Sequence, residues 1–360
     1  MTATPAHAVP AAVHCEDSGA APAVGQRRET AHAASGDAVE WRDDAAAAMD
    51  EEVPWRDDAA MGEAVPWRDD AAMGEVLRAL AALAEPPSPE HAAIAAALAL
   101  PPPPTADEYT DALVFQLPPY ASIYLGAEGM LGGEARDRIS GFWRALGGEP
   151  PRESDHLSVL LSALAELADT EAATDPRDGR VRTARAALYG EHVASWMPPF
   201  LAALRRLGSP FYAAWAATLD DVLTAAAEAG SAGHALAAAP RLPLALRAAP
   251  APPTAPADLD DLLSTVLAPI RIGMVIARDD LARCACDVGL GLRAGERRFA
   301  LRALLSQDAP GVLRWLASEA QRQAEAYGTR SAIAAWWRDR ASAGASWLAR
   351  LARLADDAGR

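Results

Sequence analysis

Lysine and asparagine are absent from this 360-residue chain, and all 33 basic residues are arginine. A GC-rich coding sequence accounts for so complete a bias, and no function is read from it. Cysteine is nearly absent too. Cys15, Cys284 and Cys286 cannot close a set of disulfides. Cys284 and Cys286 stand near each other but lack the further ligands of a structural zinc site. A reducing compartment fits that usage. No apolar run reaches the roughly 18 residues of a membrane span. The N-terminal MTATPAHAVPAAVHCEDSG has no basic stretch and no apolar core, which argues against a secretory signal there. No G-x-S-x-G, no phosphate-cradling glycine loop, no HExxH and no CxxC occurs.

Basic charge is in deficit. The formal net charge is −16, and residues 37–75 hold 13 acidic side chains against 3 arginines. The remainder is only mildly acidic. A general nucleic-acid binder would carry a basic surface, so the bulk charge argues against one. Apolar residues make up 51% of the chain, enough for a sizeable core, although alanine supplies much of that share.

Four regions follow from composition and period. Residues 1–75 read as a disordered acidic tail. It contains an internal repeat, VEWRDD, VPWRDD and VPWRDD, with tryptophans at Trp41, Trp55 and Trp67. These units are too short for a solenoid and read either as a solvated duplication or as acidic-aromatic docking motifs. Residues 76–229 read as helical. A stripe of Leu157, Leu160, Leu161, Leu164 and Leu167 marks one helix. Tyr189, Val193, Trp196, Met197, Phe200, Leu201 and Leu204 mark a second, over 183–206. A third begins at Pro210, capped by Ser209. Residues 230–257 are rich in Ala and Pro and read as a linker. Residues 258–360 read as a C-terminal helical extension. No alternating strand pattern appears, so the fold class is all-α, a helical bundle.

The stretch PPRESDHLSVLLSALAEL (150–167) places Asp155 beside His156 at the mouth of a helix. A catalytic pair would need a nucleophile or second acid-base group, and a metal site would need a third ligand. A helix cap needs only Ser154 or Asp155, with His156 partly buried. The third reading is a recognition latch.

The latch reading comes from a resemblance. E-S-D-H-L-S-V-L-L-S-A-L resembles the motif of the TorD/DmsD/NarJ family of redox-enzyme maturation chaperones. PPYASIYLG (118–126), RISGFWRALGGE (138–149), LYGEHVASWMPPFLAAL (188–204) and FYAAWAATLDDVL (211–223) are similar to further family segments, in the family's order. The resemblance covers roughly 76–228 and implies a TorD-like bundle. It implies a cytoplasmic, non-enzymatic chaperone without cofactor of its own. The partner would be the apo catalytic subunit of a molybdopterin oxidoreductase, held through its N-terminal leader during cofactor insertion. It allows a homodimer and involves no nucleic acid and no membrane insertion. The client-binding residues it implies are Asp155, His156, Tyr120, Tyr124, Trp196 and His192. A competing reading takes 271–306 as a helix-turn-helix of a transcriptional regulator, with Arg293, Arg297, Arg298 and Arg302 on phosphates. A helical scaffold organised by the WRDD repeats is the remaining alternative.

Overall fold

The computed structural model describes residues 70–358, apart from 176, 178, 232–241 and 294. Residues 1–69, with nearly all of the expected tail, lie outside the described residues. The described remainder of that segment opens a helix, α1 (Asp70–Ala82), six residues before the expected start of the helical region.

Among the described residues the fold is all-α, as expected, with a single antiparallel bridge in place of any strand. After α1 come α2 (His91–Ala97) and α3 (Ala106–Tyr109), which runs on as a π-helical turn, Thr110–Gln116. The short α4 (Ala121–Leu125) is followed by α5 (Gly133–Ala145) and α6 (Leu157–Ala173). α7 (Gly179–Ala187) also passes into a π-helical turn, Leu188–Val193, ahead of α8 (Met197–Arg206) and α9 (Pro210–Ser231).

The α6 stripe is the spine of this first half. Leu157, Leu160, Leu161 and Leu164 are buried, and α1 packs along the helix with Leu77 and Leu80. The helix expected over 183–206 is broken. Pro198 and Pro199 have no N–H to donate, so the helix cannot run through them and restarts with the prolines in its first turn. The stripe residues still face inward, because the π-helical turn brings Val193 and Trp196 back onto the core side.

The second half contains α10 (Leu244–Arg247), α11 (Leu259–Val266), α12 (Pro269–Ile272), α13 (Arg278–Val288), α14 (Arg297–Gln307), α15 (Ala309–Tyr327) and α16 (Ala332–Ala358). The long α15 and α16 form a hairpin. Leu262, Met274, Leu301, Leu316, Trp347 and Leu348 build a core of their own. Ile270, Val275, Tyr327, Trp337 and Ala341 instead join the core of the first half. Gly273 allows the close approach this needs. It has φ +74, and a Cβ there would strike the backbone of Ala341.

A buried polar staple reinforces that junction. Glu319 and Asp280, 1% and 3% exposed, share Arg206 and Arg283, and Arg322 pairs with Glu319. Gln323 donates to Val275 O and accepts from Val275 N, both at 2.9 Å. Trp337 Nε1 donates to Ser195 O at 2.9 Å. Part of the segment expected to be a linker is also tied down. Trp347 donates to Pro253 O, Arg340 to Pro250 O and Arg350 to Thr254 O, so 242–257 lies along α16.

Candidate functional site

Pro118 and Pro119 end the π-helical turn, because neither can donate a helical hydrogen bond. The chain is extended there and lies against the residues before α6. Ala121 N donates to Asp155 O at 3.0 Å, and Leu157 N donates to Pro119 O at 2.9 Å. Tyr120 and His156 are therefore paired in one antiparallel bridge. Two motifs some 35 positions apart meet at this point.

Asp155 does not cap its own helix. Its Oδ2 accepts from Ser122 N at 3.2 Å, so it caps the positive end of α4. His156 is the N-cap of α6, with Nδ1 accepting from Ser158 N at 3.3 Å. The expectation that Ser154 or Asp155 caps α6 is thus corrected. The Pro118–Pro119 stretch delivers the start of α4 to Asp155, and the imidazole takes the capping position. Ser154 is buried and bonds Ser140 across 3.0 Å.

Tyr120 meets the His156 ring edge-on, with centroids 4.7 Å apart. Its hydroxyl donates to Glu153 Oε2 at 3.1 Å. Burial and then the Glu153 charge push the Tyr120 phenol up to about 12. His156 Nδ1 also lies 2.7 Å from Ser158 Oγ, whose hydroxyl donates to Glu85. Burial pulls the His156 pKa down, against the charges of Glu85, Glu153 and Asp155. The buried Asp155 and His156 thus hold two helix ends, beneath a half-buried Tyr120 flanked by the exposed Glu85 and Glu153. Ser158 reaches His156 through the local geometry of a cap, and its hydroxyl is buried.

Tyr124 of α4 and Trp196 lie in the core, 1% and 0% exposed. Their rings stack at 5.1 Å, with Phe200 against both. Trp196 Nε1 donates to His192 O at 2.9 Å, which ties the His-x-x-x-Trp pair together through the backbone. The His192 ring packs on Phe142 and faces a cleft of about 350 Å³, also lined by Leu125, Ile139, Arg138, Glu191 and Leu244. Burial pulls the His192 pKa down as well. α4 connects the two places. Asp155 caps its start, Tyr124 reaches the aromatic stack and Leu125 reaches the cleft.

Of the six residues singled out in the sequence, only Tyr120 and His192 are partly exposed. Glu85, Glu153 and Ser158 were not singled out. Glu153 stands inside the quoted motif, but Glu85 lies in the turn after α1, remote in sequence from His156, and nothing local marks it. Three of the four arginines read as phosphate contacts are engaged internally. Arg297 donates to Ile276 O at 2.9 Å, while Arg298 and Arg302 share Asp260. Eight residues separate α13 from α14, more than the 3–4-residue turn of a helix-turn-helix.

Residues 68–202 match the family model of the nitrate reductase delta subunit. The matched region runs from the start of α1 to the middle of α8. It includes the Tyr120–His156 bridge, the α4 cap and the aromatic stack. This family falls within the wider group of molybdoenzyme chaperones. No curated protein matches the chain, and no solved structure does. No helix among the described residues is long and apolar enough to cross a membrane.

Proposed function

We propose that this chain is a non-enzymatic, cytoplasmic chaperone. It holds the apo catalytic subunit of a molybdopterin-containing oxidoreductase through a leader segment while cofactor is inserted. The observation that carries this reading is the match of residues 68–202 to the nitrate reductase delta subunit family.

The geometry divides the labour. Asp155 is buried and its Oδ2 already serves Ser122, so it positions α4 rather than pairing with a leader arginine. Glu85 and Glu153, exposed on either side of His156, supply the negative charge for a basic leader. Tyr120 and His192 offer the partly exposed ring surface, and the cleft beside His192 takes an apolar side chain. Tyr124 and Trp196 support both places from the core.

Co-expression with the apo catalytic subunit of a molybdopterin oxidoreductase from the same genome tests this. The two should co-purify, and a Glu85→Gln/Glu153→Gln variant should weaken the complex without lowering the melting temperature. Failure of every such subunit to be retained by the folded wild-type chain would sink the reading.

A further inference from the structure

A second, smaller pocket of about 180 Å³ opens between α13 and α14. Arg278, Arg293 and Arg297 line it with Leu281, Leu292 and Ala300. In a chain of net charge −16, such a cluster should have attracted carboxylates. Arg298 and Arg302 on the same helix do have one, Asp260. Among the described residues, Arg278, Arg293 and Arg297 have none within ion-pair distance. Arg297 has only the Ile276 carbonyl, and Arg278 lies over the Phe115 ring at 4.8 Å. Burial disfavours the charged form of Arg297 and the Arg278 charge adds to that, while Tyr124 and the Asp280 charge oppose it. Glu296 makes no side-chain cap bond at the start of α14, so the positive helix end adds to the field.

The rim is apolar. Phe115, Leu292 and Phe299 are 48%, 45% and 48% exposed. An inorganic anion would satisfy the arginines and leave this rim unused. A nucleic acid needs an extended basic surface, which a chain of this charge does not offer. Carboxylates next to an indole use both halves of the site. Arginine forks hold the carboxylates, and the ring lies against Phe115, Phe299 and a guanidinium. The chain carries that chemistry three times, as VEWRDD (39–44), VPWRDD (53–58) and VPWRDD (65–70). A pocket that takes one of these three segments leaves at least two for other copies.

We propose that the Arg278–Arg293–Arg297 pocket binds a Trp-Arg-Asp-Asp segment of a second copy of this chain. The probe is a synthetic peptide with the sequence of residues 51–64, titrated against full-length protein. That protein carries Trp41→Ala, Trp55→Ala and Trp67→Ala, so its own segments do not compete. The peptide should bind, and Arg293→Glu, on an exposed loop, should weaken it about tenfold or more at unchanged melting temperature. A peptide with alanine for tryptophan should bind comparably weakly. Wild-type protein should self-associate with concentration in sedimentation velocity, less so in Arg293→Glu and in high salt. Peptide affinity unchanged by Arg293→Glu, or by loss of the tryptophan, would overturn the proposal. So would peptide displacement by inorganic phosphate at similar concentration, which would mark a simple anion site. Duplex DNA binding that depends on Arg293, with no peptide binding, would turn the surface over to nucleic acid.

Discussion

Two histidines show what burial does to the site. Inside the fold, His156 and His192 both have pKa values below the ordinary 6.5, chiefly because burial disfavours the imidazolium. The unfolded chain therefore binds more protons than the folded one just below that value, and stability rises with pH there. It is fully present above about 6.5 and is lost as pH falls toward the depressed values. Glu85, Glu153 and Asp155 oppose the effect at His156. At His192, Glu191 opposes it and Arg138 adds to it. The melting temperature should thus fall between pH 7 and pH 5, and His156→Gln should flatten part of that slope. A slope identical in the variant would show that His156 is not held neutral by burial. The same burial explains why Asp155→Ala/His156→Ala is a poor test of recognition. It removes two helix caps at about 0.5–2 kcal/mol each, so leader binding would fall with stability. Glu153→Gln, at the exposed edge, separates the two effects.

Elements were more legible than contacts. Five leucines at helical spacing were enough to place α6, because a helix of that length has one face to bury. Leu161 is fully buried there, and Leu161→Ala should cost about 2–5 kcal/mol in denaturant unfolding. A loss below about half a kcal/mol would contradict the packing of α1 on α6. The Asp-His motif marked the start of α6 for a similar reason, since a polar pair before an apolar run signals a helix start. Its partners were not legible. The bond from Ser122 to Asp155 and the one from Ser158 to Glu85 depend on how the chain returns upon itself, and no local pattern encodes that. The break before α8 could have been foreseen from Pro198–Pro199, but the apolar stripe is continuous across it and masks the change of helix.

The whole molecule departs furthest from a string of parts. Composition suggests a helical unit, a linker and a separate extension. The described chain instead places Trp337 of α16 against Ser195, and Tyr327 and Val275 in the same core as Trp196. Charge follows the same route, from Arg206 of α8 to Asp280 of α13 and Glu319 of α15. An alternating or 3.6-residue period reports which face of an element is buried, but not against which element, so two halves with good helical patterns look independent. Their coupling makes a cooperative unit, and both halves should unfold together. Glu319→Ala tests this from the far side of the junction. It removes one of the two carboxylates that Arg206 faces, leaving Asp280, and leaves Gln323 short of a partner, while Arg283 and Arg322 are half exposed and recover water. The cost should therefore fall below the ~3–5 kcal/mol of breaking a fully buried pair. The telling readout is where that loss appears. Hydrogen exchange in α6 and α8, the side that contains the Tyr120–His156 bridge, should accelerate along with α13 and α15. A loss of protection confined to 258–358, or a second unfolding transition in wild-type protein, would show that the two halves fold independently.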